Sequence, residues 1–369
     1  MLKLSKISLE GYKSIRQCRD LALGPLNVLI GANGSGKSNL ISLFPLLSAA
    51  MRGEFQLFIG THGAAHSILH FGPKVTPELA VSLEFDSESE TNLYAARLVF
   101  AAPDNLVFGE ETFRSTPKEG SSARFAEAIA RGANESAVVQ PGLRENERLK
   151  LFARLVSGIW PYHFIDTTLN ADVRLSREPG DHRRLYSKGE NLAPVLRMLR
   201  DHHPESYARI LETLRLIAPF FGDFVLDPSP TSPGLVMLNW RARGSDYEFG
   251  PHQLSDGTLR FIALATLLLQ PVEFLPGMII IDEPELGLHP FAIKILASLL
   301  ADAAERTQVL VATQSSTLVD EVEPHEVIVA NLEEGLTTLN RPDPERLADW
   351  LQDYTLSQVW ESNLFGGKP

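Results

Sequence analysis

One glycine-rich octapeptide, residues 31–38 with the sequence Gly-Ala-Asn-Gly-Ser-Gly-Lys-Ser, constrains the fold of this chain more than any other feature. It fits the pattern Gly-x4-Gly-Lys-Ser/Thr, in which a loop joins the end of a strand to the start of a helix. The flanking sequence meets this requirement, because the apolar run 26–30 precedes the octapeptide and the helix-like stretch 39–44 follows it. The pattern therefore predicts a strand, a phosphate-binding loop and a helix in succession. A chance match in a glycine-containing loop is the alternative.

Each residue type in this loop has a role in holding a polyphosphate. Glycines allow successive backbone N–H groups to turn toward phosphate oxygens, and the helix that follows adds partial positive charge at its first turn. Lys37 is expected to reach the β- and γ-phosphates, and the Ser38 hydroxyl is expected to bind Mg²⁺. The candidate nucleotide-binding residues of this segment are Gly31, Asn33, Gly34, Ser35, Gly36, Lys37, Ser38 and Asn39.

Two carboxylates follow a second apolar run far along the chain. Residues 278–281 are Met-Ile-Ile-Ile, and Asp282 and Glu283 come directly after them. A buried strand of this kind delivers Asp282 to the edge of a sheet, where it can hold the hydration shell of Mg²⁺. Glu283 can act as the general base that polarises an attacking water. A buried strand that happens to end in acidic loop residues is the alternative, and the phosphate-binding loop upstream favours the catalytic interpretation.

A short polar segment in front of an apolar helix is the third candidate. Residues 254–258 are Leu-Ser-Asp-Gly-Thr, and an apolar stretch follows them. Ser255 and Gly257 at a helix start form a second anion-binding site. Ser255 and Asp256 are also good N-cap residues, so an N-capped core helix explains the same sequence. Ser255, Asp256 and Gly257 are therefore candidate nucleotide-binding residues with a structural alternative.

Composition excludes several classes of protein. The 369 residues include 34 Lys and Arg against 46 Asp and Glu, a formal net charge of −12, which argues against a protein that coats nucleic acid by bulk charge. The single cysteine, Cys18, excludes a disulfide framework and a cysteine-based zinc site within the chain, and it fits a reducing compartment. The longest apolar run, 261–269, is too short for a membrane span, and the first residues do not resemble a secretory signal. We therefore expect a cytoplasmic protein without a membrane association.

The pattern of apolar residues divides the chain into three segments. Residues 1–113 carry short alternating runs typical of half-buried antiparallel strands, and residues 251–369 alternate buried strands with helices, which is typical of a parallel sheet covered on both faces. Residues 114–250 have mixed character, with a mostly helical stretch over 123–159 that is broken at Pro141-Gly142. The sequence thus predicts an α/β head built from both ends of the chain, with 114–250 as an insertion or helical subdomain. This insertion is too short and too poor in heptads for long coiled-coil arms.

Taken in order, these segments resemble the ATP-binding cassette heads of RecF-like and SMC-like proteins. The resemblance is carried by residues 31–38, 254–257 and 279–283, in the positions of the Walker A, signature and Walker B motifs, and by Thr313-Gln314-Ser315. It implies a P-loop NTPase of the ABC type, with a mixed sheet and an antiparallel β lobe. The wider pattern is similar to standalone AAA-type predicted ATPases of bacteria, relatives of the overcoming-lysogenisation-defect ATPases. The segments that match this group are 11–15, 254–260, 281–290, 312–315 and 363–369.

The resemblance implies a homodimer that closes on two ATP molecules with Mg²⁺. Residues 31–38 of one copy would then face residues 255–257 of the other copy. Ser255 and the Gly257 amide would complete the cage around the γ-phosphate in this arrangement, while Glu283 activates water.

Three further residues are assigned from the resemblance alone. Gln314 stands where transporter-type cassettes carry a switch histidine, and it can hydrogen-bond the γ-phosphate or the water but cannot take up a proton at neutral pH. His289 stands where many cassettes place an aspartate that crosses the dimer interface, and Gln56 is the candidate for the metal-contacting glutamine. The predicted metal ligands are Ser38, Asp282 and Gln56, and the predicted catalytic residues are Glu283, Gln314 and Lys37.

The resemblance also implies an output through a partner protein. ATPases of this kind often act beside a separate nuclease or toxin-like effector, and some act in phage defence. A RecF-like repair ATPase that binds DNA is one alternative, because the arginine-rich stretch 174–188 can contact nucleic-acid phosphates; a solvated loop explains the same stretch. A slowly hydrolysing nucleotide sensor or scaffold is the other alternative.

Overall fold

Two compact units make up the chain. The first unit contains Met1–Trp160 and Glu323–Pro369, and the second contains Pro161–Val322. The predicted boundaries at 113/114 and 250/251 do not coincide with these limits, and the three-part division stays a prediction. The computed structural model describes residues 2–118, 125–130, 132–140, 146–164, 166–168, 170–228, 233–364 and 366–367.

Strands and helices occur in the following order in the described ranges. The strands are β1 (Lys3–Tyr12), β2 (Ile15–Ala22), β3 (Leu26–Ile30), β4 (Glu78–Asp86), β5 (Glu90–Ala101), β6 (Asn105–Pro117), β7 (Phe125–Ala130), β8 (Pro161–Tyr162), β9 (Phe221–Val225), β10 (Asn239–Ala242), β11 (Glu248–Phe249), β12 (Met278–Asp282), β13 (Gln308–Thr313), β14 (Val327–Glu333) and β15 (Leu336–Asn340). The helices are α1 (Lys37–Arg52), α2 (Phe55–Thr61), α3 (Ala64–Ile68), α4 (Glu147–Ser157), α5 (Leu192–His202), α6 (Pro204–Ile217), α7 (Asp256–Leu269), α8 (Pro290–Arg306), α9 (Ser316–Val319), α10 (Pro344–Ala348) and α11 (Leu356–Glu361).

An antiparallel sheet forms one part of the first unit. Its strand order is β2-β1-β4-β5-β6-β7, and every neighbouring pair runs antiparallel. In β4 the apolar side chains at alternate positions are buried while the polar and small ones between them are more exposed, so the alternation predicted within residues 1–113 is confirmed for this strand. Helix α4 packs on this sheet through Phe152, whose ring centroid lies 5.5 Å from that of Phe85 and 4.9 Å from that of Tyr94.

The single cysteine lies in β2 of this sheet. Cys18 is buried, and burial raises the pKa of its thiol to about 11. The sulfur is therefore protonated at neutral pH.

The mixed arrangement in the first unit is built by three strands. Strand β3 is buried at every position and pairs parallel with β14, and β14 pairs antiparallel with β15. The end of β3 leads directly into residue 31, so this group of strands supports the start of the glycine-rich octapeptide.

The second unit contains a parallel arrangement and a small antiparallel sheet. Strand β12 pairs parallel with both β13 and β8, and strands β9, β10 and β11 form an antiparallel sheet in the order β11-β10-β9. Helix α7 is buried at every position from Leu259 to Leu269, as a helix with apolar residues on all sides requires. Among the described residues the longest helix is α8, with 17 residues, which agrees with the predicted lack of long coiled-coil arms. No helix in these ranges combines the length and the apolar character needed to cross a membrane.

Several sequence-based assignments need correction. The helical stretch predicted over 123–159 is wrong at residues 125–130, which form strand β7, and it is correct for α4. The predicted break at Pro141-Gly142 lies outside the described residues, as do Phe365, Lys368 and Pro369 of the terminal segment. The chain described after β15 contains α10, a separate 3-10 turn at Trp350–Gln352 and then helix α11. The prediction of a mixed α/β fold with an antiparallel β lobe is confirmed.

Candidate functional site

The octapeptide, here called the phosphate loop (residues 31–38), connects β3 to α1 in the first unit. Gly34 and Gly36 have φ values of 78° and 99°, which lie in the left-handed region that side chains with a Cβ disfavour. The Ser35 N–H donates to the Ala32 carbonyl at 3.1 Å, which closes a tight turn inside the loop. Loops of this shape, placed before a helix, present backbone N–H groups to phosphate oxygens.

The first glycine of the phosphate loop lies against strand β14. A Cβ at Gly31 would stand only 2.3 Å from the Ala330 carbonyl oxygen, a distance that no real side chain tolerates. At Gly34, in contrast, a Cβ would have no atom within 4 Å. The loop is therefore pressed against the sheet at its start and open at its middle, which leaves space for a ligand at Gly34.

The charged residue of the loop is buried within it. Lys37 is 5% exposed, and its Nζ donates to the carbonyl oxygens of Gly31 at 2.5 Å and Ala32 at 3.0 Å. The ammonium group is therefore already desolvated and oriented before a polyphosphate binds to the loop.

A buried hydroxyl supports the same interpretation. Ser35 is 2% exposed, and its Oγ has no hydrogen-bond partner among the described residues. Buried polar atoms without partners are rare, and a phosphate oxygen would satisfy this one. Asn33, Gly34 and Ser38 are exposed at the loop surface, so the residues present fit a nucleotide polyphosphate.

Two predicted residues make side-chain contacts away from a nucleotide. The Asn39 Nδ2 donates to the Ser14 Oγ at 2.6 Å, so this amide links α1 to the turn between β1 and β2. The Gln56 Nε2 donates to the carbonyls of Leu106 at 2.9 Å and Asn134 at 2.6 Å. Metal binding by Gln56 stays a prediction, and it requires the Gln56 Oε1, which here accepts from the Asn105 Nδ2.

The second unit holds the acidic pair at the end of β12. Asp282 is half-buried at the last position of the strand, and Glu283 follows with a φ of 48°. The Glu283 N–H donates to the Ala312 carbonyl of β13 at 2.8 Å, which fixes this left-handed backbone in place. The Gln314 Nε2 donates to the Glu283 Oε1 at 2.7 Å. The structure therefore brings the predicted general base and the predicted switch residue into direct contact.

A third carboxylate, which the sequence analysis missed, holds Gln314. The Glu285 Oε1 accepts from the Thr313 Oγ1 at 2.5 Å and from the Gln314 backbone N–H at 3.1 Å. Burial raises the pKa of this carboxyl group, and its Oε2 is buried without a partner in the described ranges. The sequence held one signal for this role of Glu285, its position two residues after Glu283. Two carboxylates spaced in this way in a loop can contact different residues.

The segment 254–258, here called the serine turn, begins helix α7 in the second unit. The Ser255 Oγ accepts from the Thr258 N–H at 3.1 Å, so Ser255 is the N-cap of this helix and the structural interpretation is correct. Ser255 and Asp256 are also exposed, and the start of a 14-residue helix carries partial positive charge. Ser255 can therefore cap the helix while the exposed turn remains able to bind an anion.

The serine turn contacts the loop after the acidic pair. A Cβ at Gly257 would stand 2.5 Å from the Gly287 carbonyl oxygen, so the two backbones meet closely. His289, two residues farther on, caps α8 by accepting from the Phe291 N–H at its Nδ1. An aspartate is a common N-cap residue and could accept the same N–H. His289 therefore makes the local contact that an aspartate would make at this position.

A buried arginine fastens the serine turn. Arg174 is 3% exposed; its Nη2 donates to the Asp256 Oδ1 at 2.8 Å, its Nε to the Thr167 carbonyl at 3.0 Å, and its Nη1 to the Pro251 carbonyl. The interpretation of the stretch 174–188 as a nucleic-acid contact is therefore wrong for Arg174. Arg183 and Arg184 of the same stretch are exposed.

Comparisons with known proteins identify a family and a fold for this chain. The family model described as "AAA domain, putative AbiEii toxin, Type IV TA system" matches residues 26–320. A solved SMC head bound to the C-winged helix domain of ScpA has 16% sequence identity and a TM-score of 0.57, and the match covers 93% of this chain and 99% of that one. A Smc head with an extended coiled coil, bound to the C-terminal domain of ScpA derived from Pyrococcus furiosus, has 15% identity and a TM-score of 0.57, with coverages of 96% and 99%. No curated protein matches the chain. The predicted fold class, a P-loop ATPase head of the ABC type, is confirmed.

Proposed function

The chain belongs to the AAA-domain family whose model spans residues 26–320, and from this premise we propose that it is a Mg²⁺-dependent ATPase that works as a homodimer. In the proposed cycle two copies close on two ATP molecules, hydrolysis reopens them, and the closed dimer acts on a separate effector protein. The observation that carries the proposal is the phosphate loop, in which the Lys37 ammonium is buried among loop carbonyls and the Ser35 hydroxyl is buried without a partner among the described residues.

The phosphate loop binds the triphosphate in this proposal. Lys37 donates to β- and γ-phosphate oxygens in place of the two loop carbonyls that it contacts now, and the Ser35 hydroxyl donates to a phosphate oxygen. The other residues proposed to shape this site and to supply N–H groups are Gly31, Asn33, Gly34, Gly36 and Asn39.

Magnesium is proposed to bind through Ser38 and Asp282. A serine hydroxyl and an aspartate carboxylate supply the hard oxygen ligands that this cation prefers. The ion, when bound, neutralises charge that develops on the β- and γ-phosphates.

Hydrolysis is assigned to Glu283, with Gln314 as its positioning neighbour. Glu283 accepts a proton from the attacking water, and the Gln314 Nε2 holds one oxygen of this carboxylate in place. General-base catalysis of this kind contributes about 10²–10⁴-fold to a rate, so Glu283→Gln is expected to retain ATP with little turnover.

The serine turn of the partner copy is proposed to complete the site. Exposed Ser255 and the amide of Gly257, at the positive start of α7, are suited to the γ-phosphate of ATP held by the other copy. Asp256 is held by Arg174 and so orients this turn.

The output is proposed to pass to an effector of nuclease or toxin type. Two SMC heads of similar fold were solved with ScpA domains bound, and the family description mentions a toxin–antitoxin system. The purified chain alone should therefore leave DNA intact, and DNA cleavage by the chain without a partner would contradict this assignment.

The composite site can be tested in the Glu283→Gln background, where ATP persists. MgATP should double the mass measured by light scattering. Ser255→Asp keeps an N-cap residue but places a negative charge against the γ-phosphate, so it should abolish this ATP-dependent dimer. The affinity of the single subunit for a fluorescent ATP analogue, measured at protein concentrations too low for dimerisation, should stay unchanged, because the phosphate loop belongs to the other half of the composite site.

Ser298→Asp is the matched control. Ser298 is exposed on α8 of the same unit, and its substitution should leave the dimer intact. A Ser255→Asp protein that still dimerises with MgATP, or a wild-type monomer that hydrolyses ATP at the full rate, would overturn the composite site.

A further inference from the structure

A buried threonine on β15 contacts the phosphate loop from behind. Thr337 is 2% exposed, and its Oγ1 donates to the Ser35 carbonyl at 2.8 Å, although 302 positions separate the two residues in sequence. Its backbone N–H donates to the Ser14 carbonyl at 2.8 Å. This one residue therefore joins the turn between β1 and β2 to the centre of the phosphate loop.

The direction of the hydrogen bonds around Thr337 follows from its chemistry. A carbonyl only accepts, so the single hydroxyl hydrogen of Thr337 is used on Ser35. The contact of 2.7 Å between the hydroxyls of Ser14 and Thr337 must then be donated by Ser14. Ser14 in turn accepts from the Asn39 Nδ2 at 2.6 Å. The result is a continuous relay from Asn39 through Ser14 and Thr337 to the Ser35 carbonyl, in which each hydroxyl donates once and accepts once.

The same two hydroxyls fill the space beside Gly36. A Cβ at Gly36 would stand 2.1 Å from the Thr337 Oγ1 and 2.9 Å from the Ser14 Oγ. The loop backbone is thus held by a hydrogen bond at Ser35 and by steric contact at Gly36. Ser35 and Gly36 are the two residues before Lys37. A shift of their backbone would therefore move the Lys37 ammonium group.

We propose that the relay from Asn39 through Ser14 and Thr337 to Ser35 fixes the phosphate loop in its binding shape before ATP arrives, which makes Thr337 a positioning residue of the site. The inference rests on the proposed ATP binding. Fixing the loop in advance removes part of the ordering cost of binding, because fewer backbone conformations are lost when the nucleotide enters. Thr337 acts through Ser35 and Gly36.

The test is Thr337→Val, which keeps the size and β-branching of the side chain but removes the hydroxyl. It leaves the Ser35 carbonyl without this donor and the Ser14 hydroxyl without this acceptor, so the affinity for MgATP should fall roughly tenfold. Thr338→Val is the matched control, since Thr338 is the adjacent residue of β15 and is exposed. Its affinity should equal that of the wild type in isothermal titration with MgATP.

Three further measurements separate positioning from general destabilisation. Thr337→Ser restores the hydroxyl and should recover most of the affinity. In turnover assays Thr337→Val should raise KM with little change in kcat, because it changes loop shape and not the water-activating carboxylate. Ser14→Ala should weaken binding, and adding it to Thr337→Val should cause little further loss, since both changes break one relay.

Two outcomes would overturn the inference alone: equal affinities of Thr337→Val and Thr338→Val for MgATP, or a Ser14→Ala effect that multiplies fully with that of Thr337→Val. A wild-type protein that does not bind MgATP would overturn the proposed function as well, so the two failures are distinguishable. If Thr337→Val fails to fold, the comparison of Ser14→Ala with Thr337→Ser decides the question.

Discussion

The phosphate loop of the first unit and the serine turn of the second unit are both suited to an anion, but different chemistry holds each of them. Neutral hydroxyls and close backbone packing hold the phosphate loop, through Thr337 and Ala330. A buried guanidinium holds the serine turn, through Arg174. The phosphate loop already contains a buried cation, Lys37, and a neutral support adds no charge that would compete with its ligand. The serine turn has no such cation of its own, and Arg174 supplies donors to its Leu254 carbonyl and its Asp256 carboxylate.

The largest effect should come from removing the cation of the phosphate loop. Lys37→Ala removes two charge-assisted contacts to phosphate oxygens, each worth about 1.5–3 kcal/mol, so the affinity for ATP should fall roughly 100-fold or more. Isothermal titration with MgATP measures the change. Lys74→Ala, at an exposed lysine of the same unit, should leave the affinity unchanged. A small loss of ATP affinity in Lys37→Ala would contradict the view that a buried cation distinguishes the phosphate loop from the serine turn.

An intermediate effect should follow from removing the guanidinium of the serine turn. Arg174→Ala leaves the Thr167 and Pro251 carbonyls without their donor and opens a cavity, which should lower the free energy of unfolding by about 3 kcal/mol. The ion pair itself contributes little to this estimate, because Asp256 is exposed and screened by solvent.

Arg183→Ala is the control for this change, since Arg183 is exposed on the same arginine-rich stretch. Hydrogen exchange should accelerate over residues 251–258 in Arg174→Ala only, while the affinity for ATP is retained. Equal exchange in the two variants would mean that Arg174 does not hold the serine turn.

The smallest effect should come from the glycine of the serine turn. Gly257→Ala places a Cβ 2.5 Å from the Gly287 carbonyl oxygen, and such overpacking costs about 1–3 kcal/mol. Gly60→Ala is the matched helical control, because a Cβ there meets no atom within 4 Å, and alanine in a helix should stabilise by roughly 0.5–1 kcal/mol. Chemical denaturation should therefore give opposite signs for the two substitutions. A stabilised Gly257→Ala protein would show that the serine turn and the loop after β12 separate at little cost.

Local sequence signals were sufficient for much of the second unit. The run 278–281 predicted β12, and α8 begins at Pro290, a residue type that fits the first turn of a helix. The same kind of signal is weaker in two strands of the first unit. Strand β1 carries register shifts against both of its neighbours, which interrupt the alternation that marks a strand. Residues 125–130 contain three alanines and favour a helix locally, but they pair with β6 as strand β7.

The candidate site shows the same division between local motifs and distant supports. The phosphate loop, the acidic pair and the serine turn were predicted because each is a short run of residues with a known chemical requirement. Their supports were missed, because Thr337 and Arg174 contact them from about 300 and 80 positions away in sequence. A single threonine in a strand or a single arginine in a loop carries no periodic signal. Glu285 was closer, but its partners, Thr313 and Gln314, lie on another strand end.

The buried thiol in β2 makes the chain a clean background for site-directed labelling. Because burial raises the pKa of the Cys18 thiol, little of it is thiolate at pH 7, and it should react slowly with maleimides. A cysteine introduced at an exposed position, such as Ser298 on α8, would then carry essentially all of an attached fluorophore or spin label. Distance measurements between two labelled copies would report directly whether MgATP draws them together.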